Sequence, residues 1–387
     1  MDYGRILSAR AQEIKPSGIR KFFDLASTME GVISLGVGEP DFQTPYSIRR
    51  AGIESLEKGY TWYSANAGLP ALREEIARYL DRRFGLQYDG PGEILVTVGG
   101  SEAIDLAVRA LVNPGEEVLI PQPSFVCYDP ITRLAGGVPV PIATRPEDGF
   151  RLTPQALRAA ITPRTKLLVF PYPNNPTGAI MGREQMEEIA QVLRGTDIMV
   201  LSDEIYAELT YEGRHCSIAS LPGMRERTVV VNGFSKAYAM TGWRLGYAAA
   251  PAPVLSVMTK LHQFAVMCAP TTSQYAAIEA MRGCDEEIGR MAVQFGMRRG
   301  LMVESLNRMG LTCFAPLGAF YVFPSIRSTG LTSEEFCTRL LESQKVAVVP
   351  GPAFGDCGEG FVRISYSYSV DHLIEALGRI EAFVDSL

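Results

Sequence analysis

Six short apolar runs punctuate the middle of the chain: Ile94–Val98, Val118–Ile120, Lys166–Phe170, Ile198–Leu201, Thr228–Val231 and Leu245–Ala249. They are continuous rather than alternating, as strands are when helices cover both faces of a mostly parallel sheet. Loops rich in Gly, Pro, Asn or Ser follow them. Helical spacing then takes over, as in Ile104, Ala107, Val108 and Leu111, or Met186, Ile189, Ala190 and Leu193. This alternation predicts an α/β architecture.

The last hundred residues follow another plan. Ile288, Met291, Ala292, Phe295, Met302, Leu306 and Met309 mark a long helix that stops at Gly310. Short strands are predicted around Ala319–Phe323, Val346–Val349 and Phe361–Ser365. Between the first two, Thr332 and Glu335 form a capping box for a helix to about Gln344. Leu373, Leu377, Ile380, Val384 and Leu387 predict a closing amphipathic helix. A smaller α+β domain packed on the first is expected, and 387 residues suffice for both.

Composition excludes several classes. Lys plus Arg number 37 against 43 Asp plus Glu, so a net charge of −6 without a basic tail argues against nucleic-acid binding. The basic pairs Arg82–Arg83 and Arg298–Arg299 are expected on solvated helix faces. No apolar run reaches membrane-spanning length, and Met1 to Lys15 lacks the apolar stretch of a secretory signal. Seven cysteines without a C-x-x-C pair, and three scattered histidines, fit reduced cytoplasmic thiols better than a disulfide framework or a metal site.

Polar residues cluster just after the apolar runs, where open parallel sheets bind ligands. Gly99, Gly100 and Ser101 follow the first, Ser124 and Phe125 the second, and Asn174-Asn175-Pro176-Thr177-Gly178 the third. Asp203 and Tyr206 follow the fourth, Ser235 and Lys236 the fifth. A glycine pair opening a helix makes an anion site from backbone N–H groups and the helix dipole. Gly36-Val37-Gly38 has Asp41 where a dinucleotide fingerprint needs its third glycine, and no phosphate-binding GxxxxGK[ST] occurs. The anion is therefore expected to be neither NAD nor ATP.

Asn174-Asn175-Pro176-Thr177-Gly178, Ser202-Asp203-Glu204-Ile205-Tyr206, Ser235-Lys236 and Met240-Thr241-Gly242-Trp243-Arg244-Leu245-Gly246-Tyr247 occur in that order. Together they resemble the signatures of class I/II pyridoxal-phosphate aminotransferases, in the aspartate and aromatic branch of fold type I. The resemblance runs from Gly36-Val37-Gly38-Glu39-Pro40-Asp41-Phe42 to Val362-Arg363-Ile364-Ser365-Tyr366. It implies a large cofactor domain over residues 46–284 and a small domain of 1–45 with 285–387.

By that resemblance, Lys236 is the lysine that joins pyridoxal 5'-phosphate as a Schiff base and later moves the proton from Cα. Asp203 pairs with the pyridine nitrogen, keeping the ring an electron sink. Asn175 and Tyr206 donate to the phenolate oxygen, stabilising its charge and lowering the imine pKa. Gly100, Ser101, Glu102, Ser235 and Arg244 hold the phosphate, and Phe125 stacks on the ring. Tyr63 reaches the phosphate of a partner subunit, implying a homodimer with shared sites. Arg363 grips the substrate α-carboxylate bidentately, helped by Asn175 and by the backbone N–H of Gly38.

The expected activity is transfer of an amino group from an L-amino acid to a 2-oxo acid, 2-oxoglutarate among them, by a ping-pong cycle. A carbon–sulfur lyase on the same fold shares the cofactor motifs and is the alternative. A non-catalytic regulator of aminotransferase type would carry an extra basic helix-turn-helix domain, whereas here the family pattern begins within the first few dozen residues. Some relatives that take dicarboxylates have lysine where Ser101 stands. Pro16-Ser17-Gly18-Ile19-Arg20 and Phe22-Phe23 look closer to the aromatic branch. The amino donor stays open between aromatic, aspartate and similar amino acids.

Overall fold

The computed structural model describes residues 1–16, 18 and 29–387. Its centre is a seven-stranded sheet: β1 (Ile94–Thr97), β2 (Glu117–Gln122), β3 (Val138–Ala143), β4 (Thr165–Phe170), β5 (Met199–Asp203), β6 (Thr228–Gly233) and β7 (Gly246–Ala249), in the order β1-β7-β6-β5-β4-β2-β3. Only β7 runs against its neighbours.

The strands are buried on both faces, which explains their unbroken hydrophobicity. Leu95, Val169, Leu201 and Val231 pack towards Ala103 and Ala107 of helix α1 (Gly99–Leu111). On the opposite face, Leu168 and Val200 meet Met186 and Ile189 of α2 (Arg183–Leu193). Val96 and Val230 there join the cluster around Leu72 and Ile76. The strand missed by pattern is β3. It lies at the sheet edge, carries Pro139 and Pro141 and exposes part of its length, so it has neither a continuous run nor a clean period.

The C-terminal part follows its expected plan. Helix α3 (Asp285–Arg308) ends two residues before Gly310, whose φ of 78° closes it. Helix α4 (Ser333–Gln344) starts at the Thr332–Glu335 capping box, and α5 (Val370–Asp385) closes the chain. Strands β8 (Tyr321–Val322), β9 (Val349–Pro350) and β10 (Val362–Ser365) form an antiparallel sheet with β10 in the middle. The predicted Val346–Val349 strand is divided: Val346–Ala347 instead pairs in parallel with Ile33–Ser34. Helix and sheet bury Phe295, Met302, Phe336, Leu373 and Ile380 in one cluster, which also takes in Tyr206 and Leu209 from after β5.

One expectation is corrected. Arg298 is not solvated: its guanidinium is buried and meets Asp41 at 2.7 and 3.0 Å, beside the rings of Phe42 and Phe295. A charge buried this way needs its paired carboxylate, and the pair ties α3 to the segment after Gly38. Arg83 likewise pairs with Glu208, whereas Arg82 is the more exposed of its pair and bridges to Asp285. Among the described residues, no helix is long and apolar enough to cross a membrane.

Candidate active site

A cavity of about 380 Å³ opens at the carboxyl ends of β2, β4, β5 and β6 and is closed on its far side by β8 and β10. It brings together Gly38, Gly100, Ser101, Phe125, Asn175, Asp203, Tyr206, Ser235, Lys236, Arg244 and Arg363. Because β7 runs in reverse, Arg244 just before it reaches the same edge as residues that follow the other strands. A larger groove, about 860 Å³ between Phe42 and Val293, holds none of the predicted residues, so chemistry rather than size marks the site.

Lys236 follows β6, and its Nζ donates to the Gly38 carbonyl at 2.5 Å, near the rings of Tyr206 and Phe320. Burial pulls its pKa down to about 8 against the raising effect of Glu39, with Arg363 and Arg244 adding to the fall. An amine tuned this way stays mostly protonated near neutral pH but holds a far larger neutral, nucleophilic fraction than an ordinary lysine. Asp203 ends β5 and is buried. Its carboxylate accepts from the Tyr128 hydroxyl at 2.7 Å and the Ile205 N–H at 3.2 Å. Burial raises its pKa, and those two hydrogen bonds oppose the rise.

Arg363, on the central strand β10, is buried with 3% of its surface exposed. Its Nη1 donates to Asn175 Oδ1 at 2.9 Å and its Nη2 to the Gly36 carbonyl, while Nε is buried without a partner. The faces of Tyr321 and Phe354 flank the guanidinium at 4.6 and 4.8 Å. Among the described residues no carboxylate pairs with it. A buried arginine surrounded by neutral acceptors is poised for an anion from outside the chain.

At the opposite wall, Gly100 and Ser101 open α1, with Ser235 and Arg244 beside them. Arg244 has φ of 52° and its Nη1 donates to the Thr241 carbonyl at 2.9 Å. At Gly99, φ is +75° and a Cβ would lie 2.7 Å from Arg244 Nη2, so only glycine lets the guanidinium approach the helix start. Helix dipole, N–H groups, hydroxyl and guanidinium converge there into an anion site.

Two predicted residues stand apart. Glu102 does not line the cavity; its carboxylate accepts from the Val98 N–H at 2.5 Å and meets His262 Nδ1 at 2.9 Å. Tyr63 is 76% exposed and lies outside the cavity of its own chain. The segment compared with the aromatic branch includes Ser17, Ile19, Arg20, Phe22 and Phe23, which lie outside the described residues. Sequence reasoning missed Tyr128 and Tyr321. Tyr128 opens a short helix and no spacing ties it to Asp203, 75 residues on; Tyr321 sits in a buried aromatic stretch that reads only as core.

A mostly parallel sheet with a tuned lysine and a glycine-led helix start at its carboxyl edge, faced across one cavity by a buried arginine, fits an α/β group-transfer enzyme. Residues 30–380 match the family model for aminotransferase class I and II. The chain is 56% identical to the Bacillus subtilis protein YugH over 98% of each. It is 47% identical to aspartate aminotransferase of Pyrococcus abyssi, over 97% of each. The crystal structure of the aromatic aminotransferase from Pyrococcus horikoshii OT3 superposes with a TM-score of 0.91 at 45% identity, covering 95% of this chain and 99% of that one. The chain belongs to the class I and II aminotransferases.

Proposed function

We propose that this enzyme moves the amino group of an aromatic amino acid, aspartate or a similar L-amino acid to a 2-oxo acid such as 2-oxoglutarate, using pyridoxal 5'-phosphate. The observation that carries the reading is the buried Arg363, without an acidic partner among the described residues, in one cavity with a lysine whose pKa is lowered to about 8. The donor set fits the cofactor. Lys236 offers an amine for its aldehyde, Asp203 a carboxylate for its ring nitrogen, and Asn175 and Tyr206 polar groups for its phenolic oxygen. Gly100, Ser101, Ser235 and Arg244 suit its phosphate, Phe125 its ring face, and Glu102 belongs to the phosphate set through its backbone alone.

When bound, the cofactor supplies the electron sink that makes the substrate Cα proton labile. The chain does the rest. Arg363 fixes the α-carboxylate, Gly38 and Asn175 aid it, and the orientation of Cα follows from that grip. Lys236 Nζ takes the Cα proton and passes it on, a role its low pKa suits. Asp203, whose charged form the hydrogen bonds from Tyr128 and the Ile205 N–H support against burial, would hold the ring nitrogen protonated.

The working unit is a cytoplasmic homodimer in which Tyr63 of each chain completes the phosphate site of the other. The exposed apolar side chains of Trp62, Tyr63 and Phe264 support such an interface. The chain divides into a large domain, 46–284, and a small one, 1–45 with 285–387, and the cavity lies where residues from both meet.

The test mixes purified protein, pyridoxal phosphate and single L-amino acids. Amino transfer converts the cofactor to pyridoxamine phosphate and releases a 2-oxo acid. Ammonia release with the cofactor unchanged would instead establish elimination.

A further inference from the structure

Tyr321 is wholly buried, and its hydroxyl lies 2.8 Å from that of Tyr206. The rings meet edge to face with centroids 5.8 Å apart. A Cβ at position 38 would fall 2.0 Å from Tyr321 Oη, so this hydroxyl fills the space a side chain there would need. Tyr321 also pairs with Ser365 of β10, the strand that carries Arg363. One phenol thus touches the lysine's neighbour Gly38, the substrate-side arginine and Tyr206.

The direction of the hydroxyl pair follows from proton count. Tyr206 has one hydroxyl proton, and when that proton serves the cofactor's phenolic oxygen its Oη can only accept from Tyr321. Among the described residues, Tyr206 Oη is also the one acceptor within reach of Tyr321. Tyr321 therefore donates, and the single proton of Tyr206 is left to point into the cavity.

We infer that Tyr321 is a positioning residue: by donating to Tyr206 Oη it orients that hydroxyl's proton towards the cofactor's phenolic oxygen and strengthens it as a donor. Polarisation along such a chain makes each donor stronger. The inference rests on the pyridoxal-phosphate reading. The other charged or titratable groups facing this pair are Lys236, Asp203, Arg363, Tyr128 and Tyr368, and none is altered in the variants below.

The experiment titrates the visible absorbance of the cofactor-loaded enzyme with pH. Weaker donation to the phenolic oxygen favours the protonated nitrogen next to it, so Tyr321→Phe should raise the midpoint by about half a pH unit. Difluorotyrosine at position 321, a stronger donor of the same shape, should lower it. In a Tyr206→Phe background, Tyr321→Phe should add no further shift. An unmoved midpoint in both single variants, or an equal shift without Tyr206, overturns the inference. A wild-type protein that takes up no pyridoxal phosphate overturns the functional reading instead, and the two failures are told apart by that control.

Discussion

Replacing Arg363 with lysine keeps one positive charge in the buried site but removes the planar fork. In the native chain the two Nη groups point at Asn175 Oδ1 and the Gly36 carbonyl, with Nε free, so the guanidinium offers several donors in one plane. A lysine has a single point donor on a flexible stem and cannot hold both oxygens of a carboxylate in that plane. One charge-assisted hydrogen bond is therefore lost, about 1.5–3 kcal/mol. At 1.36 kcal/mol per decade this is a roughly 10- to 150-fold fall in kcat/KM. The assay compares an L-amino acid with the matching amine lacking the carboxylate, in wild type and variant loaded to equal cofactor content. The preference for the amino acid should shrink by that factor while the amine's rate stays nearly constant. An equal fall for both donors would mean general damage to the site, and no fall would mean that another group holds the carboxylate; either result refutes the reasoning.

Asp203→Ala should cut turnover by about a hundredfold or more, as loss of a positioned catalytic carboxylate does, while equilibrium dialysis still finds the cofactor bound; near-normal turnover contradicts its role. The lysine pKa has a stability consequence in the cofactor-free protein. Its folded value of about 8 lies below the ordinary 10.5, so between those pH values the unfolded chain binds more protons and stability rises with pH. Below pH 8 the cost is fully present, about 3 kcal/mol. Lys236→Met should therefore gain stability relative to wild type at pH 7 in urea denaturation, and the gap should close towards pH 10; a gap independent of pH would refute this. Tyr63→Phe should weaken cofactor retention by about three- to tenfold, the worth of one hydrogen bond. Fluorescence titration of the purified protein checks it, and unchanged affinity would argue against a contact across subunits.

Much of the site was legible because its chemistry is local. A lysine after a buried strand, an acid at the end of another and glycines opening a helix need only the strand pattern to be collected on one edge. Arg363 was assigned through its flanking motif, yet its burial on the central strand of a small sheet was not visible in that motif. Arg298 looked like a solvated helix residue because its partner Asp41 is 257 positions away.

The amino-acid order alone determined the parallel core, the helices that cover it, the capping box at Thr332 and which polar residues gather at the strand ends. Periodicity and short-range hydrogen bonding decide all of these. The tertiary structure alone decided that Tyr321 meets Tyr206, across 115 residues of chain, that Tyr128 steadies Asp203 across 75, and that the carboxylate of Glu102 turns away from the cavity. Hydrogen-bond partners so far apart leave no mark on spacing, since the same aromatic in a buried strand packs equally well as core until the fold sets a second hydroxyl beside it.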